Sequence, residues 1–180
     1  MVSHLGIYAS QISGHLTPST GYVSIATIKP SSTNTLTFSA IPNSYKHLQL
    51  RYLNISSALA NDISMRINGD TASNYASHYL YGGGSGSAAA GGAGSLTNMY
   101  SGYTGNTSSP AVGIIDILDY TSTIKNKTIR TLSGVDNNGS GYNLYTSGVW
   151  INTAAINSIT LNTTATFQAN SIFSLYGIQG

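Results

Sequence analysis

Charged residues are the scarcest class in this sequence. Only 7% of the 180 residues are charged, against about a quarter in ordinary soluble domains. Glutamate is absent, so all five acidic residues are aspartates. The net charge is only +2 and no basic cluster occurs, which argues against a surface that binds phosphate backbones. Nucleic acid is therefore not an expected partner.

Cysteine is absent as well, which excludes disulfides and thiolate-bound metals. No segment approaches the ~20 consecutive apolar residues that a membrane-spanning helix needs. The first ten residues lack the cationic start and the apolar run of a signal peptide. We therefore expect synthesis in a cytoplasm and no membrane partner.

The residues that are abundant favour strands and turns. Hydrophobic residues make up 41% of the chain, and its polarity comes mainly from serine, threonine, asparagine and glycine. These residues favour strands and turns, whereas glutamate and lysine, which form exposed helices well, are absent or scarce. The length suits one domain with a substantial core. The composition thus indicates a single all-β domain.

Alternation of apolar and polar residues marks roughly nine or ten strands, with turn signals every ~8–12 residues. Clear examples are Lys46–Ile55, Ala111–Tyr120 and the closing segment Ser171–Ile178. This spacing is typical of two antiparallel sheets packed face to face. We predict an antiparallel two-sheet β-sandwich, jelly-roll-like in topology, over residues 22–180.

Two segments lie outside this alternation. Residues 1–21 carry apolar residues without a clean period, which predicts an extended N-terminal arm; a first strand and loop of the same sandwich is the alternative. The arm would dock through Leu5, Ile7, Tyr8, Ile12 and Leu16. The low-complexity segment Gly82–Gly94 predicts a flexible Gly/Ala/Ser-rich loop at about residues 82–98 that faces outward.

No catalytic site is evident. Asp116 and Asp119 are three residues apart in a predicted strand, so they point to opposite faces and cannot form a glycosidase pair. The histidines at positions 4, 15, 47 and 78 lack ligand spacing, and no Gly-x-Ser-x-Gly motif occurs. We predict a non-enzymatic protein with no cofactor and no metal. Calcium in the oxygen-rich loops 68–71 and 136–141 stays open, although turn chemistry explains both loops.

Asp116 has an architectural interpretation. It lies inside a very apolar predicted strand, where a buried carboxylate needs a partner. Arg130, on the next predicted strand, is the natural candidate. We predict a structural ion pair between the two.

The 13 tyrosines are the other unusual feature. A tyrosine ring is rigid and amphipathic and carries a hydroxyl, which suits binding surfaces. We predict an exposed binding surface at Tyr79, Tyr81, Tyr100 and Tyr103. These rings could stack on sugars, although packing at a subunit interface or in the core is the interpretation that we favour.

Several segments, in order along nearly the whole chain, resemble small virion proteins of tailed bacteriophages. The matching segments are Leu5–Ser10, Tyr22–Thr27, Phe38–Arg51, Arg66–Thr71, Asn74 and Tyr75 with His78–Gly82, Ile115–Tyr120, Gly134–Gly141, Ser147–Trp150 and Phe173–Ile178. The resemblance implies a non-enzymatic structural protein, made in the host cytoplasm and assembled into the phage particle. Its implied partners are other virion proteins, either the major capsid protein or tail and fibre proteins.

Two roles are compatible with this resemblance. The first is a capsid decoration or cement protein, expected as a homotrimer and anchored by the N-terminal arm. The alternative is a tail- or head-fibre receptor-binding module that recognises host-surface glycans through the four tyrosines and the glycine-rich loop. A secreted polysaccharide-active enzyme is a third possibility, which the missing carboxylate pair and missing signal argue against.

Overall fold

A computed structural model of the chain describes residues 21–84, 86 and 88–180. These residues form twelve strands and no helix. The strands are β1 (Tyr22–Ile28), β2 (Ser32–Phe38), β3 (His47–Asn54), β4 (Asp62–Ile67), β5 (Tyr75–Gly83), β6 (Ala88–Leu96), β7 (Met99–Tyr103), β8 (Ala111–Ile117), β9 (Lys127–Val135), β10 (Tyr142–Trp150), β11 (Ile159–Gln168) and β12 (Ile172–Ile178). The described part of the chain accordingly contains no helix that could span a membrane.

The strands form two antiparallel sheets. The larger has eight strands in the order β1-β12-β3-β8-β9-β10-β5-β6, and the smaller has four in the order β2-β11-β4-β7. The predicted all-β, two-sheet antiparallel sandwich is therefore confirmed. The pairs β1–β12, β2–β11, β3–β8 and β4–β7 are nested in sequence. This nesting is compatible with the jelly-roll-like topology, which stays a prediction.

Strand alternation builds the core between the sheets. On β3, Leu48, Leu50 and Tyr52 are buried, because every second side chain of a strand points to the same face. Phe167 of the smaller sheet and Phe173 of the larger one meet edge to face with ring centroids 5.1 Å apart. The closing segment, predicted as a strand, is β12, which pairs with both β1 and β3.

The predicted docking residues lie outside the described part of the chain. Those residues are Leu5, Ile7, Tyr8, Ile12 and Leu16. The arm at residues 1–21 therefore stays a prediction. The described chain begins at Gly21, directly before the edge strand β1.

The prediction of a loop at about residues 82–98 is wrong over most of its length. β5 continues to Gly83, and residues 88–96 form β6, which pairs antiparallel with β5. The glycines have a packing role here. The ring of Tyr79 lies over Gly91, where a Cβ atom would come 2.6 Å from the tyrosine hydroxyl, and His78 lies over Gly92 on the other face. Aromatic rings of β5 thus occupy the space of the missing side chains.

Hydrogen bonds to the Asp70 carboxylate hold the turn after β4 against the core. Trp150 Nε1 donates to Asp70 Oδ2 over 2.8 Å, Asn74 Nδ2 donates to the same oxygen over 3.0 Å, and the Ala72 amide donates to Oδ1 over 2.9 Å. The hydrogen bonds from Asn74, then Trp150, then Ala72 hold the pKa of Asp70 below its usual value. A carboxylate stabilised in this way favours the folded state only while it is ionised.

The fold is expected to lose stability in acid partly through Asp70. Because the folded pKa is lower than the unfolded one, the contribution is present above about pH 4 and is lost as the pH falls through the folded pKa. Urea unfolding of wild type and Asp70→Asn, followed by circular dichroism, should show a stability gap at pH 6 that shrinks at pH 3 and below. A gap that is constant over this range would contradict the assignment.

A tyrosine-lined cleft as candidate binding site

The most developed concavity lies where the larger sheet extends past the edge of the smaller one. Residues of β5, β6 and the start of β10 form one wall, and residues of β4 and of the edge strand β7 in the smaller sheet form the other. The cleft has a volume of about 630 Å³, within the usual range of small-molecule sites. Five half-buried tyrosines line it: Tyr79, Tyr81, Tyr100, Tyr103 and Tyr142.

The five rings, called here the tyrosine cluster, contact one another in a closed circuit. Ring centroids are 6.2 Å apart for Tyr79–Tyr81, 6.4 Å for Tyr81–Tyr142 and 5.1 Å for Tyr142–Tyr103. The circuit closes through Tyr103–Tyr100 at 5.6 Å and Tyr100–Tyr79 at 5.8 Å, both edge to face. Each ring therefore holds two neighbours in place, and the wall of the cleft is preorganised.

A bulge in β7 explains how Tyr100 and Tyr103 reach the same cleft. Residues three apart in a regular strand point to opposite faces. Here Ser64 pairs with Tyr100 and Asp62 with Tyr103, so β4 advances two residues while β7 advances three. Gly102 between them has a φ of 140°, a conformation that other residues rarely adopt. The extra residue turns the second tyrosine towards the first.

Asp62 supplies a polar group at the cleft wall. Of the described residues that line the cleft, it alone carries a carboxylate. Burial raises the pKa of Asp62, and the Tyr100 hydroxyl partly offsets this rise. Burial also raises the pKa of Tyr100 strongly, with Tyr103 and Asp62 adding to the shift. The Tyr100 hydroxyl is thus a neutral hydrogen-bonding group at physiological pH.

The Tyr100 hydroxyl lies beside the Tyr103 hydroxyl and the Asp62 carboxylate. It is buried and has no hydrogen-bond partner of ordinary geometry in the described part of the chain. A buried polar group without a partner costs about 1–3 kcal/mol. Aromatic faces beside such polar groups suit a ligand with both apolar C–H faces and hydroxyls.

All four tyrosines that the sequence singled out, Tyr79, Tyr81, Tyr100 and Tyr103, line this one cleft. Sequence reasoning missed Tyr142 and Asp62. Tyr142 opens β10 directly after the turn at residues 136–141, and its place beside Tyr81 follows from the pairing of β10 with β5. That pairing joins strands far apart in the sequence, and no local signal marks it.

Asp116 and Arg130 face each other across β8 and β9. Arg130 Nη2 lies 2.8 Å from Asp116 Oδ2, and Gln49 Nε2 donates to Asp116 Oδ1 over 2.7 Å. The pair lies on the outer face of the larger sheet, with Arg130 exposed, rather than in the core that the apolar strand suggested. Among the described residues, no three histidine or acidic side chains lie together as a metal site would need.

The outer face of the larger sheet is unusually apolar. Ile114, Leu132, Tyr145 and Leu80 lie directly opposite one another on β8, β9, β10 and β5. Their exposed fractions are 40%, 60%, 45% and 56%. In the adjacent row, Ile172, Leu53 and Val112 are also exposed. This set of seven side chains is called the apolar outer face below.

The comparisons with known proteins leave the cleft to be interpreted from its own geometry. No protein-family model, no curated protein and no solved structure matches the chain.

Proposed function

We propose that this chain is a non-enzymatic structural protein of a tailed-bacteriophage particle and acts there as a receptor-binding module for host-surface glycans. The resemblance of its segments to small virion proteins supports the virion role. The observation that carries the receptor role is the convergence of five half-buried tyrosines on one cleft.

Glycans match the chemistry of this cleft. A sugar ring has an apolar C–H face, which can lie against a tyrosine ring, and hydroxyls around its edge. The Asp62 carboxylate at the cleft wall offers an acceptor to those hydroxyls. Because the rings already brace one another, little side-chain freedom is lost on binding. A short segment of host-surface oligosaccharide is the ligand that we propose.

A capsid decoration or cement protein is the second candidate. In this role the arm, through Leu5, Ile7, Tyr8, Ile12 and Leu16, would dock on the major capsid protein or on a neighbouring subunit. The observation that favours it is the apolar outer face, since exposed apolar patches of this kind mark surfaces that assembly covers.

Two measurements on the full chain separate these candidates. A glycan array should give positive spots for the receptor-binding role and should be blank for the cement role. Removal of residues 1–20 should abolish incorporation into particles if the arm is the anchor. A blank array together with loss of incorporation would replace the receptor proposal with the cement role.

Gly91→Val is expected to weaken glycan binding by about tenfold. Its Cβ would fall 2.6 Å from the Tyr79 hydroxyl, so the branched side chain must push that ring into the cleft or away from it. Gly94→Val on the same strand is the matched control, because a Cβ there meets nothing within 4 Å. Calorimetric titration with a sugar that is positive on the array measures both. Equal affinities of the two variants would contradict a role for Tyr79.

A further inference from the structure

The apolar outer face is a continuous surface rather than a scatter of single side chains. Register places Ile114 opposite Leu132, Leu132 opposite Tyr145, and Tyr145 opposite Leu80. β6 continues the row with Ala90, opposite Leu80. Five neighbouring strands therefore present one apolar row to solvent. In an antiparallel sheet with one solvated face, the side chains on that face are ordinarily polar.

The charges that adjoin this surface largely cancel. Asp116 and Arg130 neutralise each other, and Gln49 bridges from Asp116 to Arg51 through hydrogen bonds of 2.7 and 2.6 Å. Arg51 also lies 4.6 Å from the centre of the Tyr22 ring. The face has no strong field of one sign, so two such faces can approach each other without much repulsion.

The whole outer face of the larger sheet, whose middle six strands carry the apolar outer face, matches a protein interface in size. Eight strands spaced ~4.8 Å apart, each about seven residues long at ~3.3 Å per residue, give a sheet of about 35 Å by 23 Å, or about 800 Å². A stable interface of standard size buries about 800 Å² per partner. Another sheet of the same kind can lie against it about 10 Å away.

We propose that the apolar outer face packs against other copies of this chain, so that the protein is a homo-oligomer joined through its larger sheets. Two copies would stack these faces around a two-fold axis, and three would turn them towards a common axis. The tyrosine cleft opens on the opposite, inner side of the larger sheet, so assembly leaves it free. The inference therefore stands independently of the glycan ligand.

Analytical ultracentrifugation of the full chain tests this interface. The wild type should sediment at a multiple of 18.8 kDa. Leu132→Lys places a charge within the row and should weaken association by about 100-fold or more. Ile124→Lys is the matched control, because Ile124 is 89% exposed in the loop between β8 and β9 and is not one of the seven side chains of this face, and it should keep the wild-type mass. Leu80→Lys, also on the row, should act as Leu132→Lys does.

Circular dichroism confirms that each variant is folded before its mass is interpreted. A monomeric wild type at the highest soluble concentration would overturn the proposal, as would a Leu132→Lys and Leu80→Lys pair that keep the wild-type mass. A wild-type monomer that associates only after removal of residues 1–20 would show that the arm covers the face instead. Glycan binding measured on the monomeric variant reports on the cleft separately.

Discussion

Tyr103→Ala is expected to lower glycan affinity by about 10- to 100-fold, or about 1.4–2.8 kcal/mol. Tyr103 is joined to Tyr142 at 5.1 Å and to Tyr100 at 5.6 Å. Its removal deletes one stacking surface and also opens the circuit that holds two neighbouring rings. Titration calorimetry with an array-positive oligosaccharide measures the loss.

Two control variants sharpen this prediction. Tyr103→Phe keeps the ring and should keep most of the affinity. Tyr22→Ala removes a tyrosine that is 50% exposed on β1, at the opposite edge of the larger sheet from β6, and should bind as the wild type does. Wild-type affinity in Tyr103→Ala, or an equal loss in Tyr22→Ala, would contradict the assignment of the cleft.

Lys127→Met is expected to cost about 3 kcal/mol or more of folding free energy. Lys127 is fully buried, and burial lowers its pKa. Its Nζ donates to the carbonyl oxygens of Ser122, Lys125 and Thr153 over 2.7, 3.0 and 3.1 Å. Methionine fills a similar volume but leaves all three carbonyls without this donor. The loop before β9 and the loop after β10 would then lose the side chain that hydrogen-bonds to both.

Lys29→Met is the matched control for this variant. Lys29 is exposed directly after β1, and surface substitutions of this kind change stability by no more than about 0.5 kcal/mol. Urea unfolding followed by circular dichroism measures both variants. Equal unfolding midpoints for Lys127→Met and Lys29→Met would show that the three hydrogen bonds carry no net stability.

The fold class was predictable because side-chain alternation reports directly which strand positions are buried. Leu48, Leu50 and Tyr52 alternate in the sequence, and all three are in the core. The four cleft tyrosines could be selected by residue type, since rigid amphipathic rings suit recognition. Their common location could not be predicted, because it depends on a bulge at Gly102 and on pairing between distant strands.

The glycine-rich strand β6 could not be predicted from side-chain alternation. A strand is recognised from alternating side chains, and β6 has mostly glycine and alanine, so its period is invisible. Its backbone pairing with β5 makes it a strand, and the rings of Tyr79 and His78 lie over Gly91 and Gly92. The predicted burial of Asp116 in the core was wrong because of the same dependence on side-chain pattern. Apolar residues on both faces of β8 suggested burial on both sides, whereas Val112 and Ile114 point outward.

An NMR titration of the full chain with an array-positive oligosaccharide tests whether the tyrosine cleft is the glycan site. If the cleft binds the sugar, the amide shifts should concentrate on Tyr79, Tyr81 and Tyr100 to Tyr103, with Tyr142 and Asp62. Shifts centred on Ile114 and Leu132 instead, or no shifts at saturating sugar, would contradict it.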